Sequence, residues 1–312
     1  MNGQWMGQYT GSNSGSIIVN LDDIGEHYEG VAFLIDANSS LPITVAVLKT
    51  SDKARTFQFK TPAIFSMNPH TSFLDTWDNV KQFFPEISFP KEAEVRGAWN
   101  GRELVFNCST DIGTAVSATL PKSEADQPSE QEPLNLDWNG YKNYFSDLEG
   151  PPRRYLFRGQ KEPWRLRTKF HRSGRSDLGK FLTKDIQILH KHLSARTRHI
   201  FNLLIPDENG AFFNLVQHHG YPTPLLDWTY SPYVAAFFAY RGISNADAVK
   251  APDDQKVRII VFNQEQWREN FNQPLSLNSA YPYFSIMESL AIDNARMIPQ
   301  QAASSVTNMD DI

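Results

Sequence analysis

The sequence holds a single cysteine, Cys108, so it can form no internal disulfide and no thiolate-based zinc or iron–sulfur centre. One cysteine suits a reducing compartment, and a cytoplasmic location is expected. No stretch approaches 18 consecutive apolar residues, which excludes a membrane-crossing helix. Residues 1–11 have neither the basic nor the apolar segment of a secretion signal. Neither G-x-G-x-x-G nor a P-loop is present, which argues against a Rossmann dinucleotide site and a Walker ATPase. His218 and His219 are adjacent, and His190 and His192 are two apart. Neither pair has the i, i+4 spacing of a helical zinc site, and no metal is expected.

What is present is unevenly distributed. The chain has 312 residues, is 40% apolar and carries a formal net charge of −5. That length suggests two domains, and that apolar fraction is enough to build their cores. Between Arg153 and Ile200 there are 14 lysines and arginines against three acids, a local excess of +11, so the rest of the chain carries −16. A basic block inside an acidic protein points to a polyanionic partner or a phosphate-bearing ligand, or else to a solvated helix face.

The first 120 residues read as β. Short runs rich in Val, Ile, Phe and Thr at 16–21, 30–35, 43–48, 56–60, 95–99, 103–107 and 115–120 are separated by turn residues. They predict an antiparallel barrel or sandwich over 1–120. Asn100-Gly101 is expected to form a type I′ hairpin, and 75–84 a helical or loop insertion whose Trp77 and Phe83-Phe84 plug a barrel end. Residues 121–135, with PKSEADQPSEQEP at their core, have the composition of a linker.

From 136 to 312 the pattern is mixed α/β, giving an α+β chain overall. Helices are expected at 138–148 (N-capped by Asn135 or Asp137), at 178–205 with a break near 192–196, and at 210–219. Strands are expected at 155–157, 225–229 and 257–262. Ser231-Pro232 opens a helix over 233–240 (YVAAFFAY), whose nearly all-apolar sequence predicts burial.

Three segments carry chemistry. Tyr155-Leu156-Phe157-Arg158-Gly159-Gln160 ends a strand with an arginine, followed by a glycine that permits close approach. Gln217 to Thr229 (QHHGYPTPLLDWT) gathers imidazole, phenol, hydroxyl and carboxylate groups around a Gly/Pro turn. Arg296 to Gln301 (RMIPQQ) lies near the C-terminus. Together these resemble the FRG domain family, named for its Phe-Arg-Gly motif, here Phe157-Arg158-Gly159. The family's QH-x-G-x-PTRLLDWT-x-(S/N)P-x-x-A-x-x-FA signature matches Gln217 through Ala239, with Pro224 where the family has Arg. Its final QQG-x-F becomes Gln300-Gln301-Ala302-Ala303-Ser304. The resemblance covers roughly 136–312 and leaves the β region unassigned.

FRG domains are similar to ADP-ribosyltransferases in element order, which implies NAD as co-substrate. By that likeness Arg158 binds the diphosphate or the adenosine-side ribose, and Gly159 lets it approach. Thr229 and Ser231 stand for the Ser-Thr-Ser element, and Thr223 joins the NAD-binding set. Tyr221 or Trp228 stacks on nicotinamide, and His218 bonds a ribose hydroxyl. Asp227 orients His218 or Arg158, or is structural. The group that stabilises the reacting ribose is open between Gln300 with Gln301 and the acid Glu288. The expected function is an NAD-dependent ADP-ribosyltransferase acting as a toxin or anti-phage effector, with RNA, or else DNA, as acceptor. Trp164, Phe170 and Phe181 are expected to stack on that nucleic acid beside the basic block, and an antitoxin or inhibitor protein would restrain the activity. The rival is a non-catalytic nucleotide- or nucleic-acid-binding module with a partner-docking β domain.

Overall fold

The computed structural model describes residues 1–312 apart from 131–133, 149, 151–152, 253–254, 275–276, 278, 289 and 295–296. Arg296, first residue of the third motif, and Pro133 of the expected linker therefore lie outside the described residues.

The first half is one antiparallel sheet of ten strands: β1 (Gly3–Gly11), β2 (Gly15–Asp23), β3 (Tyr28–Asp36), β4 (Thr44–Lys49), β5 (Thr56–Lys60), β6 (Ile64–Met67), β7 (Leu74–Asp75), β8 (Ala93–Trp99), β9 (Glu103–Thr110) and β10 (Ala115–Pro121). Their order is β5-β8-β9-β10-β1-β2-β3-β4-β6-β7. Alternation places Ile17, Val19 and Leu21, Ala32, Ala46 and Leu48, and Val95, Leu104 and Phe106 on one face, where they form a single core. The sheet curls until β4 and β5 line the same interior. β5 pairs with β8, whereas the next stretch, β6, pairs with β4. The chain changes partner across 61–63, where Pro62 cannot donate to a ladder. The result is a curled sheet without a continuous ladder, rather than a closed barrel.

Two local expectations change. The hairpin between β8 and β9 forms, but neither Asn100 nor Gly101 takes a positive φ, so its turn is not type I′. Instead the Asn100 side-chain oxygen accepts the N–H groups of Arg102 and Glu103 at 2.7 and 2.9 Å. The insertion holds a helical turn, Trp77–Val80, with Trp77 stacked 4.6 Å from Phe89. Neither Trp77, Phe83 nor Phe84 lines the sheet's interior, so the insertion is not a plug.

The second half holds a five-stranded antiparallel sheet of β11 (Tyr155–Gln160), β12 (Leu225–Thr229), β13 (Arg258–Asn263), β14 (Phe284–Met287) and β15 (Ala302–Thr307), in the order β13-β11-β12-β15-β14. Helix Trp138–Ser146 is capped by Asp137, which accepts the N–H of Gly140. The long basic helix runs over 178–194 with one wide π turn at Phe181–Asp185, and 195–205 are irregular rather than helical. Helix Pro206–His218 starts earlier than expected because Pro206 fits its first turn. Helix Pro232–Tyr240 begins as the sequence predicts, with the Ser231 hydroxyl accepting the N–H of Val234. Its expected full burial is corrected. Ala235, Ala236 and Ala239 face the sheet, while Tyr233, Phe237 and Tyr240 stay at least half exposed.

The two halves meet through polar groups on the outer face of β1 and β2. Asp22 accepts the N–H groups of Ser176 and Asp177 and pairs with Arg175. Gln4 donates to Asn20 and to the Asn308 carbonyl and accepts from Asp310 N. Arg165 and Arg167 hold Asp310 and Asp311 as well as Glu124 and Asp126 of the expected linker. With Ala125 buried and Ser129 N–H bonded to the Pro163 carbonyl, 121–130 form a strap laid along the second half rather than a free tether. Among the described residues no helix is long and apolar enough to cross a membrane.

Candidate functional site

Arg158 and Asp227 come together because β11 and β12 are neighbours, with Phe157 opposite Thr229. Arg158 Nη1 donates to the Asp227 main-chain carbonyl at 2.6 Å. Its Nε is buried and has no partner among the described residues. Burial pushes the guanidinium below its ordinary pKa, with the charge of Arg172 adding to the effect, although an arginine stays charged. The Asp227 carboxylate accepts from Gln217 Nε2 at 2.5 Å, and the Thr223 hydroxyl donates to the other end of that amide. Asp227 reaches solvent yet has protein on most sides. The surrounding protein raises its pKa, while Arg158, Gln217 and Arg172 pull it down.

Arg172 is the residue that motif reading missed. It lies in the basic block but in none of the quoted motifs. Helix Lys169–Arg172, capped by the Thr168 hydroxyl, brings it close enough to Asp227 and Arg158 to couple with both charges. No carboxylate lies within ion-pair distance of it among the described residues. Gln217 was legible as the first letter of its motif, but its hold on Asp227 was not. Two guanidiniums that repel each other, one with an unpaired buried N–H, form a donor set suited to a diphosphate.

The other expected residues divide. Gly159 is not free for a ligand: a Cβ there would collide with the Ala235 carbonyl and lie 2.7 Å from Ala239 N, so the close approach is that of helix Pro232–Tyr240. Trp228 is 3% exposed, packs among Phe262 and Phe284 and donates its indole N–H to Ser305, so it cannot stack on nicotinamide. Thr223 is fully buried behind Gln217. Thr229 is 4% exposed, donates to the Gln300 carbonyl and accepts from Ser231 N. Ser231 is spent on its helix cap. The Gln301 carbonyl receives the Tyr230 N–H, and Gln301 itself sits at φ 47° in the turn into β15. Thr229, Ser231, Gln300 and Gln301 thus assemble at one corner, the two glutamines through their main-chain carbonyls.

His218 bonds Asn294 through Nδ1 at 2.7 Å rather than Asp227. The Tyr221 hydroxyl donates to Asp185, and its ring lies against Phe181 in the core. Glu288 accepts from the Tyr230 hydroxyl and lies 3.7 Å from both Arg153 and Arg268. Of the expected stacking residues only Trp164 is exposed, since Phe170 and Phe181 are fully buried. Among the described residues, six of the 14 cations between 153 and 200 (Arg153, Arg154, Arg165, Arg167, Arg175 and Lys180) are held by carboxylates. Among the described residues no group of three or more His, Cys, Asp and Glu gathers as metal ligands would.

No curated protein and no solved structure matches the chain. Residues 153–248, which span Arg158, Arg172, Gln217 and Asp227, match the family model of the FRG domain, and the chain therefore carries an FRG domain in its second half.

Proposed function

We propose that this FRG domain binds NAD at Arg158 and Arg172 and transfers its ADP-ribosyl group to a nucleic-acid acceptor, RNA in preference to DNA, as the action of a toxin or defence effector. The observation that carries this reading is the pair of arginines beside Asp227, one with a buried unpaired N–H. NAD supplies the ADP-ribosyl group, its nicotinamide leaving with the bonding electrons as the acceptor oxygen or nitrogen bonds the ribose carbon and loses a proton. Arg158 and Arg172 hold the diphosphate. Asp227, kept in place by Gln217, is the carboxylate best placed to face positive charge developing on the ribose. Lys184, Lys191, Arg196 and Arg198, free of carboxylate partners among the described residues, offer phosphate contacts to the acceptor.

Incubation with labelled NAD and separate RNA, DNA and protein pools tests this. Label on RNA supports it, label only on protein refutes the acceptor, and no label on any pool refutes the transferase. The engagement of Glu288 by Tyr230, Arg153 and Arg268 favours a second reading, a non-catalytic nucleotide-binding module. NAD binding by calorimetry without label transfer would establish it.

A further inference from the structure

We infer, resting on the reading of Arg158 and Arg172 as the NAD site, that Asp22 of the β half is a positioning residue for that site. Acting through Arg175, it holds the turn that carries Arg172 and the loop that anchors Asp227. Arg172 lies in a helix of only four residues, Lys169–Arg172, too short to be stable by itself. It and Arg158 repel each other, so the turn needs a restraint from outside. Three residues further on, Arg175 supplies one.

Arg175 is shared by two carboxylates. Its Nε donates to Asp22 Oδ2 at 3.3 Å and its Nη1 to Asp185 Oδ2 at 2.5 Å. Its guanidinium lies 4.9 Å above the ring of Phe170, which belongs to the Arg172 helix. A rigid guanidinium fork spanning two carboxylates restrains direction as well as distance. The other oxygen of Asp22 accepts the N–H groups of Ser176 and Asp177 at 2.7 and 3.1 Å, so the segment just after Arg175 is fastened to β2 as well. Asp22 is 3% exposed, and β2 lies between β1 and β3, so the anchor stands on an interior strand.

A second arm reaches the loop. The Tyr221 hydroxyl donates to the same Asp185 oxygen at 2.9 Å. Two residues on, the Thr223 carbonyl accepts the Phe170 N–H at 3.2 Å, and the Thr223 hydroxyl holds Gln217, which holds Asp227. Lys169 donates to the Gly220 carbonyl at 2.6 Å. Turn and loop are thus one unit, with Arg172 at one edge and the Gln217–Asp227 pair at the other, and the bridge from Asp22 through Arg175 to Asp185 ties that unit to the β half.

Asp22→Asn tests this in the full-length protein. It can keep an oxygen on the Ser176 and Asp177 N–H groups while turning an amide N–H, a donor, toward Arg175. NAD affinity measured by calorimetry should fall about tenfold. Amide hydrogen exchange over 168–172 and 220–223 should quicken by about the same factor, while exchange in β2 and β3 stays as it was. Lys180→Gln cuts a different link between the halves, the ion pair with Glu29, and should change neither readout. Arg175→Lys keeps a charge but cannot span both carboxylates. It is the substitute should Asp22→Asn fail to fold, and it should give the same pattern. Unchanged affinity or unchanged exchange in the folded variant would overturn the proposal, and so would an equal loss in Lys180→Gln. Failure of the unsubstituted protein to bind NAD would instead overturn the reading of the site, and the exchange over 168–172 would still decide whether Asp22 holds the turn.

Discussion

Gly159 on β11 lies so close to Ala235 of helix Pro232–Tyr240 that no side chain fits between them. The glycine of the Phe-Arg-Gly motif therefore sets the distance between helix and sheet, and through it the backbone frame on which Arg158 is mounted. Gly159→Ala should destabilise the protein by about 3 kcal/mol, because the neighbouring atoms are backbone and cannot swing aside. Chemical denaturation checks this. Unchanged stability would mean that the helix can shift outward freely.

Arg158→Lys keeps the charge but loses the fork that reaches the Asp227 carbonyl while presenting further N–H groups to an anion. NAD affinity should fall about tenfold or more. Arg172→Ala should weaken binding too, with little change in stability because among the described residues it has no ion-pair partner to abandon. Calorimetric titration of both variants measures this, and unaltered affinity in both would remove the diphosphate role.

Under the proposed reaction, Asp227 and Glu288 are the two acids to be told apart. Asp227→Asn should reduce label transfer about 100-fold while leaving NAD affinity within a few-fold. Glu288→Gln should leave transfer nearly unchanged, since Glu288 already serves Tyr230, Arg153 and Arg268. The reverse pattern in single-turnover assays would assign the acid to Glu288.

Asp177 is buried at the junction of the halves, and burial pushes its carboxyl up to about 6, with the nearby Asp22 adding to the shift. The folded chain thus binds this proton more tightly than the unfolded chain does. The stability it contributes is full below about pH 4 and is lost as pH rises through about 6. Asn retains the cap that Asp177 gives to Lys180 N. Asp177→Asn should therefore be more stable than the unsubstituted protein by on the order of 2 kcal/mol near pH 8, and equal to it near pH 4. Thermal unfolding across that range tests the sign.

Composition and local pattern determined a good deal by themselves. Short runs rich in β-branched and aromatic residues, as over 16–21 and 103–107, suit an extended chain locally, and the strands formed where they occur. Ser231-Pro232 fixed a helix start, since cap and first-turn geometry are local. The Gln217–Ala239 signature marked the FRG domain because its residues are consecutive. Tertiary structure decided what each side chain in that signature does. Trp228 and Thr223 look available in the sequence, yet packing from β14, β15 and Gln217 closes over them. Arg172 has no motif, yet a capped turn places it at Asp227. The basic block reads as one cationic surface along the chain. In three dimensions six of its charges meet carboxylates, several of them in the β half, the strap and the C-terminal segment, because charge pairing depends on distance in space, whereas a local count sees only neighbours in sequence.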